Sequence, residues 1–81
     1  MEVSEQIRSF IVHNFYVSPT DGLADEDSLL ERGIVDSTGV LEVVSFIEET
    51  LGITVEDGEL SLENLDSVAR IAAYVRRKRG E

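Results

Sequence analysis

Residues 33–52, "GIVDSTGVLEVVSFIEETLG", pass from an irregular acidic stretch into a run whose apolar members share one side. Val40, Val43, Val44, Ile47 and Leu51 fall within a narrow arc when each residue advances about 100°. The spacing predicts a helix from Ser37 to Leu51 with that arc buried, closed by Gly52, a residue that readily takes the left-handed conformation past a helix end. On the same wheel Leu41 and Phe46 lie on opposite flanks, Glu42 and Glu49 point away from the core, and Glu48 sits beside Leu41. The helix opens on Asp36 and Ser37, both favoured N-caps. Two readings of Ser37 follow: it caps the helix and nothing more, or it presents its hydroxyl to something outside the chain. Gly39 is a poor helix former that is expected to leave the backbone around Ser37 uncovered. Leu41 with the acids after it forms an exposed apolar spot rimmed by negative charge.

On the N-terminal side, Val3, Ile7, Phe10, Ile11 and Phe15 recur at three- and four-residue steps, which predicts an amphipathic helix over residues 3–15. His13, the single histidine, is expected at the surface without a partner. Residues 17–36 hold Pro19, Gly22, Gly33 and several Asp and Ser, and are expected to form a long connection anchored by Leu23, Leu29, Leu30, Ile34 and Val35. Asp25, Glu26 and Asp27 lack the alternating ligands, glycine and terminal glutamate of a calcium loop, so a solvated charge run is expected there and no metal site. On the C-terminal side, "ITVEDGEL" (53–60) is expected to be a loop with Ile53 and Val55 turned inward, and "SLENLD" (61–66) a short helical turn started by Ser61. A last helix over 67–78, capped by Asp66 or Ser67, should bury Val68, Ile71, Ala72 and Val75. The predicted fold is all-α: a small four-helix bundle with a long loop between its first two helices and a short third helix, in a single domain over 1–81 with a basic tail at 76–81.

Composition narrows the function classes. The chain has 81 residues, enough for one modest core and too few for an enclosed multi-residue catalytic centre. Its net charge is −10, and the charge is uneven: residues 1–75 hold 16 acids and 3 bases, while 76–81 hold four bases and one acid. Such an acidic body repels nucleic acid and anionic lipid and steers basic protein surfaces toward it. The basic run is expected to complement the dipole of the last helix rather than bind nucleic acid or membrane. With no cysteine, disulfides, thiolate metal sites and a cysteine nucleophile are excluded, and any thiol chemistry has to be imported. One histidine and no cysteine do not assemble a hydrolase triad. No apolar run approaches the roughly 20 residues that span a bilayer, and "MEVSEQIRSF" lacks the order of a signal peptide. A cytoplasmic monomer is expected.

"VDSTGVLEVVSFIEETLGI", preceded by "SLLERGI" and followed by "TVEDGEL" and "ENLDSVARIAAYV", resembles the acyl carrier protein family from the first helix to the last. The family's attachment signature is an Asp-Ser pair at the start of the second helix, then apolar residues at helical spacing, a Glu-Glu pair and an aromatic or Leu before Gly. Residues 36–52 reproduce that order. The resemblance implies that a phosphopantetheinyl transferase attaches 4'-phosphopantetheine from coenzyme A to Ser37, with Asp36 preceding it. It further implies that Glu42, Glu48 and Glu49 meet basic surfaces of acyltransferases, synthases or an activating ligase, with Leu41 as the apolar contact. The protein would then be a carrier and a substrate, not an enzyme, for a fatty-acid, polyketide or related biosynthetic pathway. Two departures bear on cargo: Thr38 stands where the family often has Leu or Met, and Gly39 where it often has Asp or Gln. "DSTG" is closer to the "DSMG" of D-alanyl carrier proteins, so an aminoacyl or D-alanyl carrier loaded by a stand-alone ligase is the alternative. From another class, the alternative is a cofactor-free helical interaction module. A sheltered cargo chain would be lined by Val44, Ile47, Ile53, Leu60, Leu65, Val68 and Ile71, unless these simply fill the core.

Overall fold

The computed structural model describes residues 2–17 and 22–80; Pro19, expected as a turn former, lies outside them. Four helices follow in order: α1 (Val3–Asn14), α2 (Gly39–Glu49), α3 (Leu62–Leu65) and α4 (Val68–Lys78), with a 3-10 turn at Asp57–Glu59 ahead of α3. No strand occurs among the described residues. α1 packs along α4 and against α2, and α3 packs on α4. The apolar stripes meet as their spacing predicts: Val3, Ile7 and Ile11 from α1, Val43 and Ile47 from α2, and Val68, Ile71, Ala72 and Val75 from α4 are buried in one core, joined by Leu51 and Ile53 just past α2. Each fully buried Leu, Ile or Val contributes about 1.5–3 kcal/mol relative to an exposed one, so this shared core is the main reason that helices of eleven or twelve residues persist. Tyr74 is also fully buried, which the three- and four-residue spacing of its neighbours did not signal.

Helix ends follow the sequence closely. Ser67 caps α4 by accepting the Arg70 N–H at 3.1 Å. Gly52 has φ +75°, the left-handed turn expected after α2. One carbonyl just past α2 is covered from a distance. Arg79, beyond the end of α4, donates from Nε and Nη2 to the Leu51 carbonyl at 3.2 and 2.8 Å.

The connection between α1 and α2 is more ordered than its composition suggests. Around residues 28–33 the chain makes a helical turn: Arg32 N–H donates to the Ser28 carbonyl, Gly33 N–H to Leu30 and Ile34 N–H to Leu29. With Gly33 at φ +70°, that pattern is a Schellman closure, in which the glycine takes the conformation a side chain would resist. Of the expected anchors, Leu29 and Val35 are buried, Leu23 and Ile34 pack partly against the core, and Leu30 stays 45% exposed. Asp66 ties this segment down. Its carbonyl accepts the Leu29 N–H (2.7 Å), and its carboxylate accepts the Ser28 hydroxyl (2.6 Å) and the Leu30 N–H (3.1 Å).

Three expectations need correcting. The acidic run at 25–27 is structural rather than only solvated: the Asp25 carboxylate pairs with Arg8 and its carbonyl accepts the Ala69 N–H (2.9 Å), while Asp27 Oδ2 accepts the Ala24 N–H (2.8 Å) and pairs with Arg32. His13 is exposed as expected but has a partner, its Nδ1 lying 2.6 Å from the Ser9 carbonyl one turn back. The bases at the C-terminus do more than complement a dipole, and Arg76, Arg77 and Lys78 are the last turn of α4 rather than a tail. Arg76 pairs with Glu2, Arg77 donates to Asn64 Oδ1 (2.8 Å) and sits over the Tyr74 ring, and Lys78 donates to Glu59 Oε1 (2.9 Å).

Glu59 joins the 3-10 turn to α4. Its Oε1 accepts from Lys78, from the Glu56 N–H (3.1 Å) and from the buried Tyr74 hydroxyl (2.8 Å). These donors, Lys78 foremost, hold its carboxyl down to about 2, and burial followed by the neighbouring Glu59 pushes the Tyr74 phenol above its usual range. A carboxyl lowered on folding stabilises the native state above its unfolded value, near 4.5, and loses that contribution as pH falls toward 2. Urea unfolding of the wild type and Glu59→Gln at pH 7, 5, 4 and 3 should therefore show a stability gap that is largest at pH 7 and 5 and closes as pH falls through 4 toward 2. A pH-independent gap would contradict this.

Candidate functional site

Asp36 starts α2 from outside its regular turns. Its carbonyl accepts the Val40 N–H (3.0 Å) and its Oδ1 accepts the Gly39 N–H (2.7 Å), the reach of a capping side chain to the third residue of a helix. Regular α-helix begins at Gly39, two residues later than the spacing predicted, because Leu41 N–H turns to the Thr38 carbonyl (3.1 Å) and makes the first turn tight. Ser37 follows the cap, exposed, and its hydroxyl bonds to no described residue. The capping work falls to Asp36, which leaves that oxygen uncommitted. The N–H groups of Ser37 and Thr38 are likewise untaken within the described residues, and they sit at the positive end of α2.

Gly39 has a different role from the one its flexibility suggested. It is buried, and a Cβ built on it would lie 2.8 Å from Phe15 Cε1 and 3.3 Å from both Val35 Cγ1 and Asp36 Oδ1. The glycine therefore lets the Phe15 ring and the capping carboxylate close on the helix start, rather than leaving backbone uncovered. Phe15 meets Phe10 edge to face at 6.1 Å between centroids, and Phe10 stacks on Phe46 at 4.2 Å. This aromatic row fastens α2 to α1, with Phe15 at its start and Phe46 nearer its end.

Beside Ser37 opens an apolar groove of about 310 Å³, walled by Leu29, Leu30 and Val35 from the connection, Val40 and Leu41 from α2, and Leu60, Leu62 and Leu65 from the segment around α3. Ser37, Ser61 and Asp66 are its polar members. Four of its leucines stay open to solvent: Leu41 is 60% exposed, Leu62 54%, Leu30 45% and Leu60 44%. Of the seven residues that could have lined a sheltered space, only Leu60 and Leu65 border the groove. Ile47, Val68 and Ile71 are wholly buried in a filled core. Leu29, Leu30, Leu62, Ser61 and Asp66 were missed. The signals that could have found them are the Leu62 and Leu65 pair, which share a face at three-residue spacing, and the Leu29-Leu30 doublet, of which a tight turn buries one.

The acids of α2 divide between its two edges. Glu42 and Glu49 are exposed on the edge toward α1, where they border a shallow depression with Phe10, Asn14, Ser45, Phe46 and Thr50. Glu48, on the Leu41 edge, is half-buried, and its Oε2 accepts the Val55 N–H (2.9 Å), so it fastens the loop after α2. Among the described residues no three His, Cys, Asp or Glu side chains are grouped as a metal ion would require, and no described helix is long and apolar enough to cross a membrane.

Comparison with known proteins places these features in company. A family model described as the phosphopantetheine attachment site matches residues 5–75. The chain is 33% identical over 75 residues to an acyl carrier protein of Campylobacter hominis, covering 93% of this chain and 91% of that protein. It is 31% identical over 75 residues to a D-alanyl carrier protein of Streptococcus suis, covering 93% and 92%, and 31% identical over 51 residues to a D-alanyl carrier protein of Abiotrophia defectiva, covering 63% and 65%.

Proposed function

This chain belongs to the phosphopantetheine attachment-site family of carrier proteins, and on that premise we propose that Ser37 is the residue that carries its 4'-phosphopantetheine arm. The protein is a carrier, which excludes the cofactor-free module. The observation that carries the assignment is the exposed, unbonded Ser37 hydroxyl at the head of α2, freed from capping by Asp36. The site fits the group. The phosphodiester formed at Ser37 Oγ would meet the N–H groups of Ser37 and Thr38, untaken within the described residues, at the positive end of α2, and Ser37 is exposed. The arm supplies the thiol that a chain without cysteine lacks, and cargo is held on it as a thioester.

No basic side chain among the described residues hydrogen-bonds Ser37, so on this reading the transferase supplies the base that takes its proton, the chain serving as substrate. Arriving enzymes would be met by Leu41 on one edge of α2 and by Glu42 and Glu49 on the other. Glu48, half-buried and spent on Val55, contributes charge rather than a free contact. The acids steer a basic partner and the single apolar contact keeps the complex short-lived, as a carrier visiting several enzymes requires. The cytoplasm, where coenzyme A and such enzymes meet, is the compartment this reading assigns.

For cargo we favour an acyl thioester, supported by the likeness to an acyl carrier protein along nearly the whole chain and by the apolar surface beside Ser37. The second reading, an aminoacyl or D-alanyl carrier served by a stand-alone ligase, is favoured by "DSTG" and by two D-alanyl carrier relatives. Loading the holo-protein with fatty acid, malonyl or D-alanine by the corresponding activating enzymes separates the two.

Incubation with coenzyme A and a broad-specificity transferase should add one phosphopantetheine to the wild type and none to Ser37→Ala, read by intact mass. An unmodified wild type with several transferases, or a modified Ser37→Ala, would overturn the assignment. In the same assay at low salt, the double reversal Glu42→Lys with Glu49→Lys should lower transferase kcat/KM by roughly tenfold, the scale of two exposed ion pairs, with the helical CD signal kept and the defect shrinking at high salt. Unchanged turnover at low salt would remove those two acids from the docking edge.

A further inference from the structure

We propose that Gly39 is a positioning residue for the modification of Ser37: packed under Phe15 at the end of α1, it decides which of two adjacent capping residues starts α2, giving the cap to Asp36 and leaving the Ser37 hydroxyl free for transfer. This rests on the assignment of the arm to Ser37 and adds the contact that keeps that hydroxyl available.

Asp36 and Ser37 are both good N-caps, and a capping side chain spans two or three residues, so both can serve the N–H groups that open α2. In this structure the outcome is one-sided. Asp36 Oδ1 takes the Gly39 N–H at 2.7 Å, and the Asp36 carbonyl takes the Val40 N–H at 3.0 Å. The backbone alone does not secure that start, because the first turn is divided: Leu41 N–H bonds to the carbonyl of Thr38 at 3.1 Å rather than to that of Ser37. A start one residue later would make Ser37 the cap, its Oγ turned onto the N–H of Gly39 or Val40 and withdrawn from transfer.

The packing at Gly39 resists that slip. Gly39 is buried, and a Cβ on it would meet Phe15 Cε1 at 2.8 Å, with Asp36 Oδ1 and Val35 Cγ1 both at 3.3 Å. The first distance is too short for any side chain unless the ring moves, and the ring is held. Phe15 N–H bonds to the Ile11 carbonyl (2.9 Å), and the ring meets Phe10, itself stacked on Phe46. A side chain at position 39 would therefore be pressed toward the capping carboxylate. With glycine, the ring and the carboxylate both keep their places. Helix propensity points the other way, since glycine opposes helix formation and alanine favours it, so the two contributions can be separated by sign.

Thermal unfolding of the unmodified full chain tests the exchange of caps without any arm, so its failure is read apart from failure of the attachment. In the wild type, Asp36→Ala should lower Tm by about 4–8 °C, the effect of losing one cap in a domain of this size, and Ser37→Ala should change it by less than about 3 °C. In a Gly39→Ala background the order should invert, with Ser37→Ala now the costly change. Gly39→Ala alone should melt below the wild type, whereas the same change made in Phe15→Leu, which lacks the obstructing Cε1, should raise Tm as propensity dictates. With transferase in excess, the single-turnover rate of Gly39→Ala should fall about fivefold, the share of hydroxyl left free once a cap of ordinary strength closes on it. The half-saturating transferase concentration should be kept, because Leu41, Glu42 and Glu49 are untouched, and Phe15→Leu should restore most of the rate. If Gly39→Ala loses its helical CD signal, recovery of that signal by Phe15→Leu supports the same contact, and no recovery overturns it. Ser37→Ala neutral in both backgrounds, or Gly39→Ala modified at the wild-type rate, would also overturn the proposal. A wild type that gains no mass would overturn the attachment and leave the exchange of caps to the melting data.

Discussion

Among the described residues of the connection between α1 and α2, the helical turn at 28–33 has its backbone held by a residue on the far side of the chain. Asp66, at the junction of α3 and α4, takes the Leu29 N–H on its carbonyl and the Ser28 hydroxyl and Leu30 N–H on its carboxylate. Without Asp66 the N–H of buried Leu29 would lose its hydrogen bond at a cost of about 1–3 kcal/mol, whereas the exposed Leu30 N–H would turn to water at a smaller one. With these bonds, Leu29 and Val35 drop into the core and the chain reaches Asp36 from a fixed direction. Asp36 can then cap α2 with its own carboxylate, and Ser37 is left outside with its hydroxyl free.

A second restraint acts from the other side of the same helix. Phe10, Phe15 and Phe46 form a row that draws α2 onto α1, and Gly39 is the point where Phe15 needs space at the head of the helix. At the opposite end, Arg79 covers the Leu51 carbonyl and Glu48 holds Val55. α2 is thus fixed at both ends by side chains distant in sequence, while its outward surface, Leu41, Glu42 and Glu49, stays uncommitted. A helix that is rigid where it is anchored and free where it faces solvent suits a protein that offers one surface to many visitors.

The long helices were legible because an amphipathic stripe is a local property: the spacing of Val3, Ile7 and Ile11, or of Val68, Ile71, Ala72 and Val75, states which side will be buried. Ser67 and Gly52 were legible for the same reason, since capping acts within a few residues. What escaped was every decision made across the chain. Nothing near Asp66 announces that it serves residues 28–30, and Asp25 and Asp27 looked like bare charge because Arg8, Ala69 and Arg32 are not their close neighbours on a helix face. Gly39 reads locally as a gap in the surface but is a gap in the core, a distinction that depends on Phe15 arriving from the end of α1. Ser37 and the acids of α2 were visible from the motif, but the groove beside them is assembled from three segments and has no counterpart in any single stretch of sequence.

The most direct measurement is amide hydrogen exchange on Asp66→Ala beside the wild type, followed by the rate at which a transferase modifies Ser37 in each. If Asp66 fixes the head of α2, exchange at Leu30 and across residues 28–36 should quicken by about tenfold or more, as loss of a hydrogen bond to a charged group implies, and modification should slow. The amides of α1 and α4 should keep their protection. Unaltered protection over residues 28–36, together with an unaltered modification rate, would show that the connection holds its shape without Asp66 and would contradict this account.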